Sequence, residues 1–219
     1  MIKLSRTKKM PGPSWSLKAL ETCPGARDRL GDIVPACQGC YAREGFYHMP
    51  VVAGVRNHNR EDWRRPQWVS EMVAALEGER WFRWFDSGDV YSVALARKIL
   101  AVMRATPGTR HWLPTRSHKF SKFAPVFRAM RALPNVVVRY SSDSVRGDFD
   151  ARFSHTSTIA GRPGDESWAL QFDSETVVCG AYDRGGRCGD CRACWDKHQR
   201  VIVYPIHGQR AARLIARGA

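Results

Sequence analysis

Residues 81–140 read WFRWFDSGDV YSVALARKIL AVMRATPGTR HWLPTRSHKF SKFAPVFRAM RALPNVVVRY. This stretch decides the fold class. WFRWF (residues 81–85) is short and aromatic, as a strand is. Residues 93–105 then place Ala94, Leu95, Ile99, Leu100 and Met103 at helical spacing. Residues 110–114 form a second candidate strand. Residues 120–133 form a second helix, with Phe123, Phe127 and Met130 on one side. VVVRY (residues 136–140) is the clearest strand in the chain. Strand starts recur about every 25–30 residues with a helix between them, which predicts βαβ units and a parallel sheet.

Working outward, residues 66–77 predict an amphipathic helix with Pro66 at its first position and Trp68, Met72, Val73 and Leu76 at helical spacing. Residues 41–47 predict a helical turn or two, stopped by Pro50. Residues 24–36 are rich in Gly, Pro, Arg and Asp and read as a loop. Residues 1–22 carry Lys3, Arg6, Lys8 and Lys9 and read as a basic arm leading into an ordered piece at 14–20. Downstream, residues 156–160 and 201–204 predict further strands, about five in all, and residues 209–217 a short basic helix. The 219 residues form a single domain with its βα core over 66–160. Trp15, Trp63, Trp81, Trp84, Trp112 and Trp168 read as core residues.

All seven cysteines lie in two segments. TCPGARDRLGDIVPACQGCYA (residues 22–42) has the spacing C-x13-C-x2-C and opens a motif region over residues 23–45. CGAYDRGGRCGDCRACW (residues 179–195) has C-x8-C-x2-C-x2-C. Thiolates are soft ligands suited to iron–sulfur clusters and zinc, and two cysteines two residues apart turn both sulfurs toward one metal. Cys23, Cys37 and Cys40 offer three thiolates: enough for a 4Fe-4S cluster with one iron free, or a zinc with an open position. Cys179, Cys188, Cys191 and Cys194 offer a closed set for a second 4Fe-4S cluster or a structural zinc. A third arrangement joins Cys37 and Cys40 to Cys191 and Cys194 around one zinc, and leaves Cys23, Cys179 and Cys188 without a role. The odd count argues against a closed disulfide framework.

In parallel α/β folds, functional residues gather at the carboxyl ends of the strands. Those ends carry Asp86-Ser87-Gly88-Asp89, Thr115-Arg116, Ser141-Ser142-Asp143 and His207-Gly208. The expectation is that Asp86–Asp89 and Ser141–Ser142 face one pocket. Gly88 would let the backbone approach a ligand, and Arg116 could hold a carboxylate or phosphate. His207 could ligate metal or shuttle a proton.

The formal net charge is +14. A surplus of that size favours polyanionic partners, nucleic acid first, and it reads as spread over the whole chain. No run of about 18 apolar residues occurs, which argues against a membrane span. No apolar run follows the basic N-terminus, so it does not read as a secretory signal, and an intracellular, thiol-reducing setting is expected.

The motifs WSLKALETCPGA, CQGCYAREGFY, DSGDVYS, LPTRS and CGDCRACW…VIVYPIHG together resemble the bacteriophage gene product eighty-eight family from about Trp15 to Gly208. That resemblance implies a phage or prophage setting in a bacterial host cytoplasm, and no particular reaction. An upstream cysteine, CxxCYA and βα units with an acidic Gly-containing turn also resemble the radical S-adenosylmethionine (SAM) enzymes, with spore photoproduct lyase nearest. This second resemblance implies a partial (β/α) barrel with a 4Fe-4S cluster on Cys23, Cys37 and Cys40. It implies that Ser87, Gly88 and Asp89 contact the SAM amino group, with Arg116 and Ser141 at its carboxylate and ribose. The four C-terminal cysteines would hold an auxiliary cluster. The usual first gap in that superfamily is C-x3-C, and here it is thirteen residues. Two functions follow: radical chemistry on a nucleic acid or nucleotide, or non-catalytic nucleic-acid binding by a metal-stabilised chain.

Overall fold

The computed structural model describes residues 1–161 and 175–206. Seven strands form one sheet: β1 (Ser14–Trp15), β2 (Trp81–Trp84), β3 (Arg110–Thr115), β4 (Val136–Ser141), β5 (Thr156–Ala160), β6 (Thr176–Val178) and β7 (Val201–Pro205). Their order is β1-β2-β3-β4-β5-β7-β6, and every neighbouring pair is parallel. Five α-helices are described: α1 (Pro35–Gln38), α2 (Pro50–Asp62), α3 (Trp68–Ala75), α4 (Val93–Ala105) and α5 (Ala124–Arg131). The parallel α/β sheet is as expected, but it has seven strands, not five. The two additional ones are the short edge strands β1 and β6. Strand β1 opens the ordered piece expected at 14–20, at the end of the basic arm, and Ser14, Trp15, Ser16 and Leu17 are all buried. The expected strands and helices of the βα core are present with ends shifted by a few residues, while the expected helix 209–217, His207 and Trp168 lie outside the described residues. No helix among the described residues is long and apolar enough to cross a membrane.

Pro50 begins a helix where the sequence reading had it end one. Its ring fixes φ and its missing N–H is one that a first turn leaves unpaired anyway. The resulting α2 turns a polar face inward: Arg56, Asn59 and Asp62 are buried. Asn59 donates from Nδ2 to the Ser16 carbonyl at 3.0 Å and so ties α2 to β1.

Alternation along the strands divides the sheet into two faces. Phe82, Trp84, Leu113, Val136 and Val138 point to the side covered by α3, α4 and α5, in a core that includes Trp68, Met72, Leu95, Ile99, Met103, Phe123, Phe127 and Met130. Trp15, Trp63, Trp84 and Trp112 are buried, while Trp81 is half-buried. A polar group sits inside the helical core. His111 is fully buried, accepts at Nδ1 from the Trp84 indole N–H at 3.3 Å, and places Nε2 2.9 Å from the Thr106 hydroxyl. That hydroxyl donates onward to the Val102 carbonyl, so the network suits the neutral Nε2–H ring. Burial pushes the His111 pKa down to about 3.

Residues of the opposite parity — Arg83, Trp112, Arg139 and Tyr204 — face the other side. There the segment after β6 covers them. Trp195, 3% exposed, donates its indole N–H to the Phe82 carbonyl at 2.9 Å and packs edge-on against Trp81 and Trp112. Arg139, 0% exposed, donates to five backbone carbonyls of that segment: Ala193, Cys194, Asp196, Gln199 and Arg200, at 2.9–3.3 Å. A parallel sheet is normally covered on both faces; here helices cover one face and a cysteine-bearing loop covers the other.

Two outcomes follow from these buried groups. The folded state keeps His111 neutral while the unfolded chain protonates it near the ordinary histidine pKa. Stability is therefore fully present above about pH 6.5 and falls toward pH 3 by up to about 1.4 kcal/mol per pH unit. Denaturant titrations at stepped pH check this, and His111→Gln flattens that part of the profile; an unchanged slope contradicts it. Arg139→Met strands five buried carbonyls and costs at least about 3 kcal/mol. Hydrogen exchange shows the loss of protection concentrated in residues 193–200, and uniform loss across β2–β4 contradicts it.

Candidate metal and ligand site

The loop that carries the first three cysteines lies across the carboxyl ends of β2, β3 and β4. Its seat is the turn after β2. Phe85 adopts φ 59°, uncommon for a bulky residue, and Gly88 adopts φ 78°. A Cβ on Gly88 would stand 2.6 Å from Leu17 Cβ and 2.7 Å from Thr22 Oγ1. Gly88 is thus required for close approach of the chain's own loop, where the sequence reading placed a ligand. The Asp89 N–H donates to the Thr22 carbonyl at 3.1 Å. The Asp89 carboxylate accepts from the Val90 N–H, the Thr115 hydroxyl and the Arg116 N–H at 2.6–2.8 Å, fastening the end of β2 to the end of β3. The Ser87 hydroxyl donates to the Leu17 carbonyl at 2.7 Å and accepts from Arg56 Nε at 2.6 Å. Asp86 faces the Arg56 guanidinium at 3.3 Å, with both side chains buried.

On this seat the cysteine loop makes three further contacts. Gly25 lies so close to Arg116 that a Cβ would meet its carbonyl oxygen at 2.4 Å. Lys119 donates from Nζ to the Gly25 carbonyl at 2.8 Å. The Ala36 N–H donates to the Asp143 carbonyl at 2.9 Å, which brings α1 and Cys37 to the end of β4. Arg116 donates from Nε and Nη2 to the Ser142 carbonyl at 3.1 and 2.7 Å and lies 3.5 Å from the Asp143 carboxylate, which also pairs with Lys119.

All seven cysteines are free thiols. Cys23, Cys37 and Cys40 are electrostatic neighbours. Burial raises the Cys23 pKa, and the nearby Asp89 and the other two sulfurs add to it. Burial also raises Cys37, where Arg116 and Lys119 act in the opposite direction. In the second set, Cys179 follows β6 directly and donates its N–H to the Val203 carbonyl at 2.8 Å. Cys188 donates its N–H to the Lys9 carbonyl. Cys191 is exposed. Cys194 lies with its sulfur 3.2 Å from the Tyr204 hydroxyl. Burial pushes Cys194 up to about 12, against the Tyr204 hydrogen bond and the Arg139 and Arg83 guanidiniums. Burial raises Cys179 and Cys188 as well.

Among the described residues, no three His, Cys, Asp or Glu side chains stand close enough together to hold a metal ion. In donor chemistry both sets fit a thiolate-ligated group. Metal binding needs deprotonated sulfur, and each set has guanidiniums placed to offset that charge. Drawing the sulfurs to bonding distance requires local movement of their loops.

The turn residues Asp86–Asp89 and the serines Ser141–Ser142 have different surroundings. Asp86, Ser87 and Asp89 are engaged within the chain. Ser141 and Ser142 instead line a cleft of about 310 Å³ with His118, Lys119, Asp143 and Asp148. In it the Ser141 hydroxyl lies 3.2 Å from that of Ser157, and the His118 ring stacks on Tyr140 at 4.4 Å. The cleft adjoins Cys37 through Asp143. The sequence reading missed Arg56, Arg83, Tyr41 and Arg139. Arg83 sits 4.4 Å over the Trp112 ring and donates to the Tyr41 hydroxyl at 3.4 Å. The Tyr41 hydroxyl in turn donates to the Asp86 carbonyl at 2.6 Å. A lone arginine within an apolar strand, as in WFRWF and VVVRY, was the signal for Arg83 and Arg139; nothing in the sequence marked Arg56.

No curated protein and no solved structure matches this chain. The family described as Gene product 88 matches it over residues 2–197, which takes in both cysteine segments, the turn after β2 and the sheet up to β6. The chain belongs to the Gene product 88 family.

Proposed function

We propose that this protein is an iron–sulfur protein with a radical-SAM-like partial barrel, acting on a nucleic acid or nucleotide. The observation that supports the reading is that the loop carrying Cys23, Cys37 and Cys40 crosses the carboxyl ends of β2–β4, beside the Ser141–Ser142 cleft. Parallel sheets bind ligands at that end. Cys23, Cys37 and Cys40 would hold a 4Fe-4S cluster, and Cys179, Cys188, Cys191 and Cys194 a second. When bound, such a group supplies one-electron chemistry.

The chain's own residues supply the rest. Arg116 and Lys119 offset thiolate charge at Cys37. The fastened turn at Asp86–Asp89 fixes the loop against the sheet. The cleft beside Asp143 gives space for a small cosubstrate such as SAM, with the Ser141 hydroxyl and the stacked His118 ring on its walls. At the second set a structural zinc is the alternative, since Trp195 and Arg139 tie that segment down as a cover for the sheet.

Reduced, anaerobically reconstituted protein is expected to cleave SAM to methionine and 5′-deoxyadenosine, measured by chromatography. Cys40→Ala abolishes the cleavage while leaving the thermal melt near that of the parent chain. A folded, iron-loaded protein that leaves SAM intact refutes the SAM-dependent reading.

A further inference from the structure

The charge surplus is not even along the chain. Residues 90–142 contain ten Lys and Arg and no Asp or Glu. The rest of the chain, with 25 basic and 21 acidic residues, is nearly balanced. This corrects the reading of a surplus spread over the whole length. The fold brings the exposed members of this stretch to one side of the sheet, because residues 90–142 build the adjacent helices α4 and α5 and the strands beneath them; Arg139, buried on the other face, is the exception.

On the outside of those helices Arg97, Arg104, Lys122 and Arg128 are exposed, and Arg110 is exposed at the start of β3. Arg97 and Arg104 lie two turns apart on α4, about 10 Å along its axis. Among the described residues none of the five has a carboxylate within ion-pair distance. Basic residues around α2 and α3 are different: Arg60 pairs with Glu21, Arg64 with Glu61, and Arg65 with Glu71. Small residues such as Ala94, Ala105, Ser121, Ala124 and Ala132 are exposed between the charges. A face of this kind repels itself and is neutralised only by an anion from outside.

We propose that the outer face of α4 and α5 is the docking surface for the phosphodiester backbone of a nucleic acid. The proposal rests on the fold and charge alone and does not need the cysteines to bind metal. Regularly repeated phosphates match an array of separated, unpaired cations. An anionic membrane is the weaker fit, since surface-bound helices insert large apolar side chains and none of the exposed large hydrophobic residues falls within 90–142. The face runs from Arg110 at the amino end of β3 up to Arg97 and Lys122 beside the rim that carries the first cysteine loop. A strand lying along it would reach that rim.

The test is fluorescence anisotropy with the full chain and a labelled DNA duplex of about 20 base pairs, between about 50 and 200 mM salt. The variant R97Q/R104Q/K122Q/R128Q is expected to bind at least about tenfold more weakly, with a log–log salt slope shallower by up to about 3.6, four phosphates' worth. Neutralising four exposed cations elsewhere, K8Q/K9Q/R184Q/R187Q, leaves the slope near that of the parent. If the quadruple variant melts below the parent, Arg97→Glu and Lys122→Glu replace it, each expected to weaken binding severalfold. Unchanged affinity and slope in the α4–α5 variants overturn the proposal. So does an equal loss in the control variant, or binding to phosphatidylserine vesicles without binding to the duplex.

Discussion

A guanidinium with no water around it must give every N–H a partner, and Arg139 finds its partners in carbonyls of the chain between Ala193 and Arg200. This is the constraint on which the second half of the structure depends. Arg139 lies in the middle of β4, on the face that the helices do not cover. The segment must come to it, because withdrawing would leave a buried charge unsolvated. Trp195 is fixed by the same approach and fills the space over Trp81 and Trp112. The second cysteine set is therefore held where Arg139, Arg83 and Tyr204 can act on its sulfurs. Packing of the sheet and the chemistry of that site have one cause.

At the other cysteine set the organising element is the turn after β2. Phe85 and Gly88 bend the chain into conformations that ordinary residues avoid. The buried Asp89 and the Arg56–Asp86 pair hold it there. Burial raises the Asp89 pKa, and its hydrogen bonds to Thr115 and Arg116 act against that rise. Thr22, one residue before Cys23, and Arg116, opposite Gly25, both bind to this turn. The first cysteine loop is in this way pinned to three strand ends at once, and burial raises the pKa of its Cys23 and Cys37 thiols.

The βα core was legible because burial there follows simple periods. Residues 93–105 show an unbroken apolar stripe, and VVVRY has few alternatives to a strand. Helix α2 was not legible: its buried face is Arg56, Asn59 and Asp62, so apolar periodicity gave no signal, and Pro50 was read as a stop. Strand β1 has two residues and β6 three, shorter than any pattern can declare. The cysteine positions were plain in the sequence. What DSGD does was not, since an acidic Gly-containing turn reads the same whether its carboxylates hold a ligand or the neighbouring strand. Only the fold shows that Asp89 holds β3.

The proposed iron sites draw sulfur from two distant segments of the chain. Iron and acid-labile sulfide, measured per chain after anaerobic purification, report on both. The expected result is iron and sulfide together in several equivalents per chain, with about half remaining when Cys23, Cys37 and Cys40 are changed to Ala. Natively folded protein that contains neither, before or after anaerobic reconstitution, would contradict it.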